Sequence, residues 1–195
     1  GQGRVLLKGK TQTGTLMHAV LDREGGLRTG KLLSDAFVFE CPCKDGKRLV
    51  CITDGGVNLT PDLAAKKQIL ENAVTLYHSL GYARPRVAVL SAVESVLPGH
   101  SPSQDAQALT RMAHAGQIAD CEVEGPLSLD LAISPEAASK KGHGGEVAGR
   151  ADILLCPDIV SANLLAKSTI YFANYRLAHV IIRYHRTCGL LRRHV

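Results

Sequence analysis

The sequence predicts an α/β fold in which helices cover both faces of a mostly parallel, mixed sheet. Short apolar runs without polar alternation are typical of strands that are buried on both faces. These runs alternate with helical patterns along the chain, as parallel strands with crossover helices require. A length of 195 residues and a hydrophobic fraction of 45% are sufficient for a substantial core. We therefore expect three layers, α/β/α, around one main sheet.

The strands are predicted from the short apolar runs. They are Ala36–Cys41, Leu49–Thr53, Arg86–Ala92, Cys121–Glu124, Ala151–Cys156 and Leu177–Ile182. Between the first two runs lies Lys44-Asp45-Gly46-Lys47, and an Asp-Gly pair favours a tight hairpin turn. The first two strands should therefore pair antiparallel, which makes the sheet mixed.

Helical patterns fill the intervals between the strands. We predict helices at Thr11–Leu21, Pro61–Leu80, Ser103–Ala115, Ser134–Lys140 and Val160–Asn174. The second of these is the clearest, because both of its ends carry the expected residues. Thr60 can cap its amino end, Pro61 suits its first turn, and Gly81 stands where a left-handed residue ends a helix.

The chain divides into three parts by composition. Residues 1–30 hold one helical pattern followed by a Gly-rich link, which predicts the remnant of a first domain. Residues 31–182 hold the strands and the other helices, and they form the main α/β domain. Residues 183–195 carry four arginines and no acidic residue, so they form an atypical basic tail. Most of the net charge of +5 lies in this tail, and the rest of the chain is close to neutral.

Composition disfavours several classes of function. Aromatic residues make up only 4% of the chain and do not interleave with basic clusters, so we expect no nucleic-acid partner. The apolar runs are too short for a membrane span and no apolar signal region opens the sequence, so we expect no membrane partner and a cytoplasmic location. The eight histidines lack metal-ligand spacing, and Cys41-Pro-Cys43 favours a strand-end turn over a zinc site. We therefore predict no metal site.

Two segments follow strands and precede helices, which is where ligands sit in open α/β sheets. Thr53–Asn58 contains Asp54 and two glycines, and it fits either an anion-binding turn or a structural turn in which Asp54 bonds to local backbone. Asn163 and Lys167 are four residues apart, so they share a helix face and could hold a phosphate group. The alternative is that Asn163 caps the helix while Lys167 extends along the surface.

Two further features carry competing interpretations. Glu94 follows the predicted strand Arg86–Ala92, where it could act as a base or cap the next turn. The segment Lys140–Gly145 combines two lysines with glycines. It suits a mobile loop that closes over a phosphorylated ligand, or an ordinary solvated loop. No Gly-x-Ser-x-Gly elbow and no His-Glu-x-x-His helix is present in the sequence.

Several phrases, in their order and spacing, resemble the phosphate acetyltransferase and phosphate butyryltransferase family. They are Leu7-Lys8-Gly9 with Thr13-Gly14, Ile52-Thr53-Asp54 with Asn58 and Pro61-Asp62, Asn72-Ala73-Val74, Pro85 through Glu94, Gly125 through Ser134, Ala148 through Leu154, and Pro157-Asp158 with Asn163 and Lys167. The resemblance runs almost continuously from Leu7 to Ile182. The butyryltransferase branch is the closer one, mainly because of Glu124-Gly125-Pro126-Leu127.

The resemblance implies a two-domain α/β fold with a cleft between the domains, of which the first domain is mostly missing here. It also implies reversible acyl transfer between coenzyme A and inorganic phosphate, with a butyryl or acetyl group. Coenzyme A is then a substrate, no cofactor is expected, and a homo-oligomer is the expected assembly. The substrate-binding positions that it suggests are Asn163 and Lys167, followed by Ser34 and Asp54.

The family pattern ends at Ile182. Family members continue into a segment that contributes a serine and an arginine to the active site, whereas this chain continues as the basic tail. We therefore assign no catalytic residue, and we expect a truncated or low-activity form that binds coenzyme A weakly. The competing hypothesis is a non-catalytic module that keeps the fold and binds coenzyme A or phosphate, or supports assembly. A metal-dependent dehydrogenase of similar architecture would need clustered aspartates, which the sequence lacks.

Overall fold

A computed structural model of the chain describes residues 10–20, 22, 32–43, 46–182 and 192–193. The strands are β1 (Ser34–Cys43), β2 (Gly46–Thr53), β3 (Arg86–Leu90), β4 (Glu122–Leu127), β5 (Ile153–Leu155), β6 (Leu177–Ile182) and β7 (Arg192–Arg193). The helices are α1 (Thr13–Val20), α2 (Leu63–Ser79), α3 (Ser101–His114), α4 (Leu129–Ile133), α5 (Pro135–Lys140) and α6 (Ile159–Tyr171). Most of the segments 1–30 and 183–195, for which we predicted a domain remnant and a basic tail, lie outside the described residues.

The strands of the described residues form one sheet in the order β4-β3-β5-β2-β1-β6-β7. β5 pairs parallel with β2 and β3, and β3 pairs parallel with β4. β1 pairs antiparallel with β2 and β6, and β7 pairs antiparallel with β6. β2, β3, β4, β5 and β6 therefore run in one direction, against β1 and β7. The mixed, mostly parallel sheet and the hairpin between β1 and β2 are confirmed.

Hydrophobic clusters cover both faces of the sheet. On one face, α2 and α3 bury Ile69, Leu70, Tyr77, Ala106 and Leu109 against β3 and β5. On the other face, α4, α5 and α6 contribute Leu131, Ala132, Ala138, Ala162 and Ala166 to a second cluster with β1, β2 and β5. Each fully buried leucine or isoleucine stabilises the fold by about 1.5–3 kcal/mol. The predicted α/β/α layering is confirmed.

The ends of several elements differ from the sequence-based prediction. α2 begins at Leu63 and not at Pro61, because its cap is Asp62 and not Thr60. The backbone N–H of Ala65 donates to Oδ1 of Asp62 at 2.8 Å, which is the bond that fixes a helix start. The short helix α4 was not predicted, since five residues are too few to show a helical period.

The strand directions bring distant parts of the chain to one edge of the sheet. β2 and β5 end there side by side, with Thr53 paired to Leu155. Because β1 is antiparallel to its neighbours, its first residue lies at the same edge, and Ser34 pairs with Ile182. This edge is also where α6 begins. None of the helices in the described ranges is long and apolar enough to cross a bilayer.

Candidate functional site

Two aspartates lie buried next to each other at this edge of the sheet. The register that pairs Phe37 with Ile52 extends to place Asp35 opposite Asp54. Asp35 is 0% exposed and Asp54 is 3% exposed. The pKa of Asp54 is raised to about 7, first by burial and then by the neighbouring Asp35, while hydrogen bonds from Gly56 and Asn58 partly offset the increase.

The carboxylate of Asp54 organises the turn that follows β2. Its Oδ1 accepts the backbone N–H groups of Gly56 at 3.1 Å and of Val57 at 3.0 Å. Its Oδ2 accepts the backbone N–H of Asn58 at 3.2 Å and also a hydrogen bond from the Asn58 side chain. Asn58 in turn donates to the carbonyl of Leu33 at 2.9 Å. The bonding of Asp54 to local backbone is thus confirmed, and it leaves the turn in one defined shape.

Asp35 connects this turn to the last long strand. Its Oδ1 accepts the backbone N–H of Gly55 at 2.7 Å, and its Oδ2 lies 2.8 Å from Nε2 of His179 on β6. The hydroxyl of Thr53 donates to the carbonyl of Asp35 at 2.5 Å. The ring of His179 stacks on Phe37, with ring centroids 4.2 Å apart. Asp35 is therefore bound to two strands and a turn at once.

α6 approaches the turn closely from the other side. The side chain of Asn163 donates from Nδ2 to the carbonyl of Gly55 at 2.8 Å. A Cβ on Gly55 would lie 3.1 Å from backbone atoms of Ala162 and Asn163 and 2.8 Å from the Phe37 ring, so the contact requires glycine. Asn163 does not cap the helix. Asp158 does, by accepting the backbone N–H of Ser161 at 2.8 Å.

Lys167 lies one turn further along α6 and is exposed. Among the described residues it has no hydrogen-bond or ion-pair partner, so its ammonium group is available to a ligand. Asn163 is half-buried and already uses its amide nitrogen on Gly55. The two residues thus share one side of α6, as their spacing indicates.

Ser34 stands apart from the other predicted site residues. It is 0% exposed, and its hydroxyl accepts a hydrogen bond from Nδ2 of Asn72 at 2.9 Å. The same Asn72 nitrogen donates to the carbonyl of Leu32 at 3.1 Å. The structure therefore joins Asn163 to the turn that holds Asp54, with Lys167 one turn further along α6, and it packs Ser34 against Asn72 of α2.

A second cluster of charges lies around the loop that follows α5. Lys141 forms ion pairs with Glu94 and with Asp130, the latter at 3.0 Å. The hydrogen bonds from Lys141 and from Ser128 lower the pKa of Glu94, which is the wrong direction for a general base. Glu94 thus joins two segments and does not fit the role of a base.

Glu124 holds the same loop from β4. Its Oε1 lies 2.9 Å from Nε2 of His143, and its Oε2 accepts the backbone N–H groups of Val147 and Ala148, each at 3.3 Å. A Cβ on Gly145 would lie 2.6 Å from this carboxylate. The loop is therefore fastened by side chains at both of its ends, whereas the sequence suggested a mobile cover or a solvated loop.

The described residues contain no group of three or more His, Cys, Asp or Glu side chains that could hold a metal ion. Cys51 in β2 and Cys156, which follows β5, are buried, and burial together with Asp35 raises the pKa of the Cys51 thiol well above its usual value. Burial, followed by Asp158, raises the pKa of Cys156 to about 12. Neither thiol is suited to nucleophilic or ligand chemistry at neutral pH.

Sequence reasoning missed the two residues that connect the site, Asp35 and His179. Asp35 immediately precedes the predicted strand Ala36–Cys41, and His179 is the polar residue within the otherwise apolar strand Leu177–Ile182. A polar side chain in a fully buried strand needs a partner, so each could have been marked as paired. Their pairing with each other required the strand order, which periodicity does not supply.

The sequence of this chain is similar to those of known acyltransferases. The sequence model described as "Phosphate acetyl/butaryl transferase" matches residues 1–179. The chain is 47% identical over 177 residues to a probable phosphate butyryltransferase of Bacillus subtilis, covering 91% of this chain and 58% of the relative. It is 41% identical over 182 residues to a phosphate acetyltransferase of Thermotoga maritima, covering 93% of this chain and 61% of the relative.

A solved structure gives the same result. The crystal structure of a branched-chain phosphotransacylase from Enterococcus faecalis superposes with a TM-score of 0.87 at 35% identity, over 100% of this chain and 68% of that one. The chain spans about three fifths of the length of the curated relatives that it matches. The family match over residues 1–179 exceeds half of the sequence, and the turn after β2 and the start of α6 lie inside it. The chain therefore belongs to the phosphate acetyl/butyryl transferase family.

Proposed function

We propose that this chain is a phosphate acyltransferase, which converts an acyl-coenzyme A and inorganic phosphate into an acyl phosphate and coenzyme A. Membership of the family supports this reaction class, and the relative of highest identity given above supports a butyryl-like acyl group. The observation that carries the proposal for this site is the hydrogen bond from Asn163 to Gly55 at 2.8 Å. It joins the two segments that follow parallel strands into one surface.

The chemistry needs groups that hold an anion near a thioester. A phosphate oxygen attacks the acyl carbon, a carbon–oxygen bond forms, the carbon–sulfur bond breaks, and coenzyme A leaves as the thiol after proton uptake. Positive charge and N–H donors stabilise the phosphate and the oxyanion. Lys167 offers an ammonium group that has no partner among the described residues, one turn beyond Asn163 on α6. We assign Asn163 and Lys167 to phosphate or coenzyme A, and Asp54 to shaping the turn between them and β2.

Ser34 remains a proposed substrate-binding position of lower accessibility, because its hydroxyl is buried against Asn72. Direct contact with a ligand would require Leu32 and the start of β1 to move. The hydrogen bond of Ser34 to Asn72 acts on the site more directly by fixing the amino end of β1, next to Asp35.

We also propose that the chain self-associates through the outer side of α6. Large apolar side chains are exposed there and in the segment that touches the helix start: Leu59, Val160, Leu164, Tyr171 and Phe172, at 63–89%. On the order of 500 Å² of apolar surface is available from five such side chains. A stable interface buries about 800 Å² per partner around an apolar centre. A second copy of this chain, with a polar rim added, is the occupant that this area fits.

A second candidate function is a non-catalytic module that binds coenzyme A or phosphate. The observation that favours it is that Ser34 and Asn163, two of the proposed substrate-binding residues, already form hydrogen bonds within the fold. Both candidates predict ligand binding, and only the first predicts turnover.

The test combines calorimetry with an assay of thiol release from butyryl-coenzyme A in the presence of phosphate. We expect coenzyme A to bind, and Lys167→Ala to weaken binding about tenfold, as the loss of one charge-assisted contact predicts. Lys47→Ala is the matched control, because Lys47 is an exposed lysine at the opposite end of β2, paired with Glu40 at 3.2 Å.

The outcomes separate the candidates. Binding with slow thiol release supports the acyltransferase, and binding without release supports the module. If coenzyme A does not bind at all, or if Lys47→Ala weakens binding as much as Lys167→Ala, the assignment of this surface to the substrate is wrong.

A further inference from the structure

A continuous chain of hydrogen bonds runs from β6 to α6 through the candidate site. His179 lies 2.8 Å from Oδ2 of Asp35, whose Oδ1 accepts the N–H of Gly55 at 2.7 Å. The carbonyl of Gly55 accepts from the side chain of Asn163 at 2.8 Å. The N–H and the carbonyl of Gly55 are therefore both held in place, the N–H by Asp35 and the carbonyl by Asn163. The orientation of Asn163 depends on Gly55, and that of Gly55 depends on Asp35.

His179 is placed to set the position of Asp35. It pairs directly with Phe37 across the two antiparallel strands, and Asp35 is two residues from Phe37 on the same face of β1. The side chain of His179 is 15% exposed and that of Asp35 is 0% exposed. Since a carboxylate only accepts hydrogen bonds, Nε2 of His179 carries the hydrogen of this contact.

Three titratable side chains lie close to Asp35, and they differ in whether they can donate a hydrogen bond to its carboxylate. Asp54 lies opposite Asp35 at the end of β2. The Cys51 thiol lies on β2 within electrostatic reach of Asp35, and His179 contacts Asp35 from β6. Asp54 and Cys51 bring further acidic groups to the same place. Of these three side chains, His179 is the basic one, and its Nε2 lies 2.8 Å from Oδ2 of Asp35.

We propose that His179 is a positioning residue of the candidate site, which acts through Asp35 to hold Gly55 and, through Gly55, the ligand-binding amide of Asn163. This inference rests on the proposed function for its effect on substrate binding. Its structural part, the order of the Gly55 peptide, does not depend on that function. A buried carboxylate that loses one donor turns towards its remaining donors or admits water, so the loss of His179 should loosen Gly55.

The experiment uses two substitutions that separate hydrogen bonding from packing. His179→Phe keeps an aromatic ring against Phe37 and removes the donor. His179→Gln keeps an N–H donor and removes the ring. His78→Phe is the control, because His78 is an exposed histidine far along α2 whose Nε2 lies 3.0 Å from the carbonyl of Asp120. Amide exchange at Gly55, followed by NMR, reports the peptide, and calorimetry with coenzyme A reports the site.

The expected results differ between the two substitutions. His179→Phe should speed exchange of the Gly55 amide and weaken coenzyme A binding, each about tenfold, as loss of a hydrogen bond to a charged group predicts. His179→Gln should restore both to within about threefold of the wild type, since it replaces the donor. His78→Phe should change neither. Circular dichroism verifies that each variant is folded before the comparison.

Other results overturn the inference in distinguishable ways. If His179→Phe behaves like the wild type and His179→Gln does not, His179 contributes only ring packing on Phe37. If the wild type does not bind coenzyme A but His179→Phe still speeds exchange at Gly55, the positioning role holds and the proposed function fails. If His179→Phe weakens binding with no change at Gly55, the path through Asp35 is wrong.

Discussion

The carboxyl group of Asp54 should make the protein sensitive to pH near neutrality. Burial, followed by the charge of Asp35, raises its pKa to about 7, whereas the unfolded chain has the ordinary value of 3.8. The folded protein therefore keeps a proton that the unfolded chain loses as the pH rises above 4. The stabilising contribution of this protonated group is complete below the unfolded pKa, and it is lost as the pH rises towards 7.

We expect Asp54→Asn to flatten this pH dependence, because an amide resembles the protonated acid and does not titrate. Urea unfolding of both proteins at pH 5 and pH 8 measures the effect. Between these values the wild type should lose roughly 2 kcal/mol of unfolding free energy relative to the variant. Titrating groups distant from Asp54 and Asp35 are common to both proteins and cancel in the difference. Equal pH dependence in the two proteins would show that Asp54 is ionised in the fold.

Single residues of the site could be predicted where the neighbouring sequence indicates a turn or a helix start. Asp54 was found because Thr53–Asn58 has the composition of a turn after a strand, and its backbone bonds could be foreseen from the sequence. Asn163 was found from its place after a strand, although its partner, the carbonyl of Gly55, is 108 residues away. Asp35 was missed because its partners belong to another turn and another strand, and no local pattern encodes them.

At the scale of elements, the loop after α5 depends on Glu124. This side chain accepts the N–H groups of Val147 and Ala148 and contacts His143. We expect Glu124→Ala to increase amide exchange at Val147 and Ala148 by about tenfold, since each loses its acceptor while it remains largely buried. Hydrogen exchange followed by mass spectrometry on a peptide from this loop measures the change.

Glu146→Ala is the matched control for this loop. Glu146 is exposed in the same segment and has no hydrogen-bond or ion-pair partner among the described residues. Its removal should leave the exchange of the loop unchanged. If both substitutions accelerate exchange equally, or neither does, the loop is held by its backbone and not by Glu124.

The elements themselves differed in how well their ends could be predicted. β6 was predicted with both of its observed ends, because an apolar run stands between polar neighbours. The start of α2 was misplaced by two residues, since Thr60 and Asp62 are both good caps and sequence alone does not choose between them. β4 begins at Glu122 and extends to Leu127, beyond the predicted end at Glu124.

At the scale of the whole molecule, the sheet followed from simple patterns more fully than the site did. Buried apolar runs alternating with helices lead to layers, and the Asp45-Gly46 turn leads to a hairpin. The order of the strands did not follow, because β5 enters between β2 and β3 although it comes after β4 in the chain. The site depends on that order, which explains why its connecting residues were missed.

The exposed side of α6 allows a prediction about assembly. Val160, Leu164 and Tyr171 lie at helical spacing on one side, and Lys167 is the only charged residue of the helix. We expect the wild type to self-associate in sedimentation equilibrium. Tyr171→Lys should weaken the association at least tenfold, because it would place a second charge one turn from Lys167 on this otherwise apolar side of the helix.

Leu97→Lys is the control for this surface. Leu97 is also an exposed apolar residue, at 41%, but it precedes α3 on another part of the molecule. It should leave association unchanged. A wild type that stays monomeric at high concentration, or equal effects of the two lysines, would contradict the assignment of α6 as the contact.

The contact between Asp35 and His179 also has a consequence for the order of events during synthesis. The two residues are 144 positions apart, so almost the whole described domain must leave the ribosome before they can meet. Contacts of such separation require a large loop to close, and they form late. A nascent chain that has completed β1, β2 and α6 would already hold Asp54, Asn163 and Lys167 without a fixed Gly55. Under the positioning role proposed for His179, full affinity for a ligand would thus arise with the docking of β6, as one of the last steps of folding.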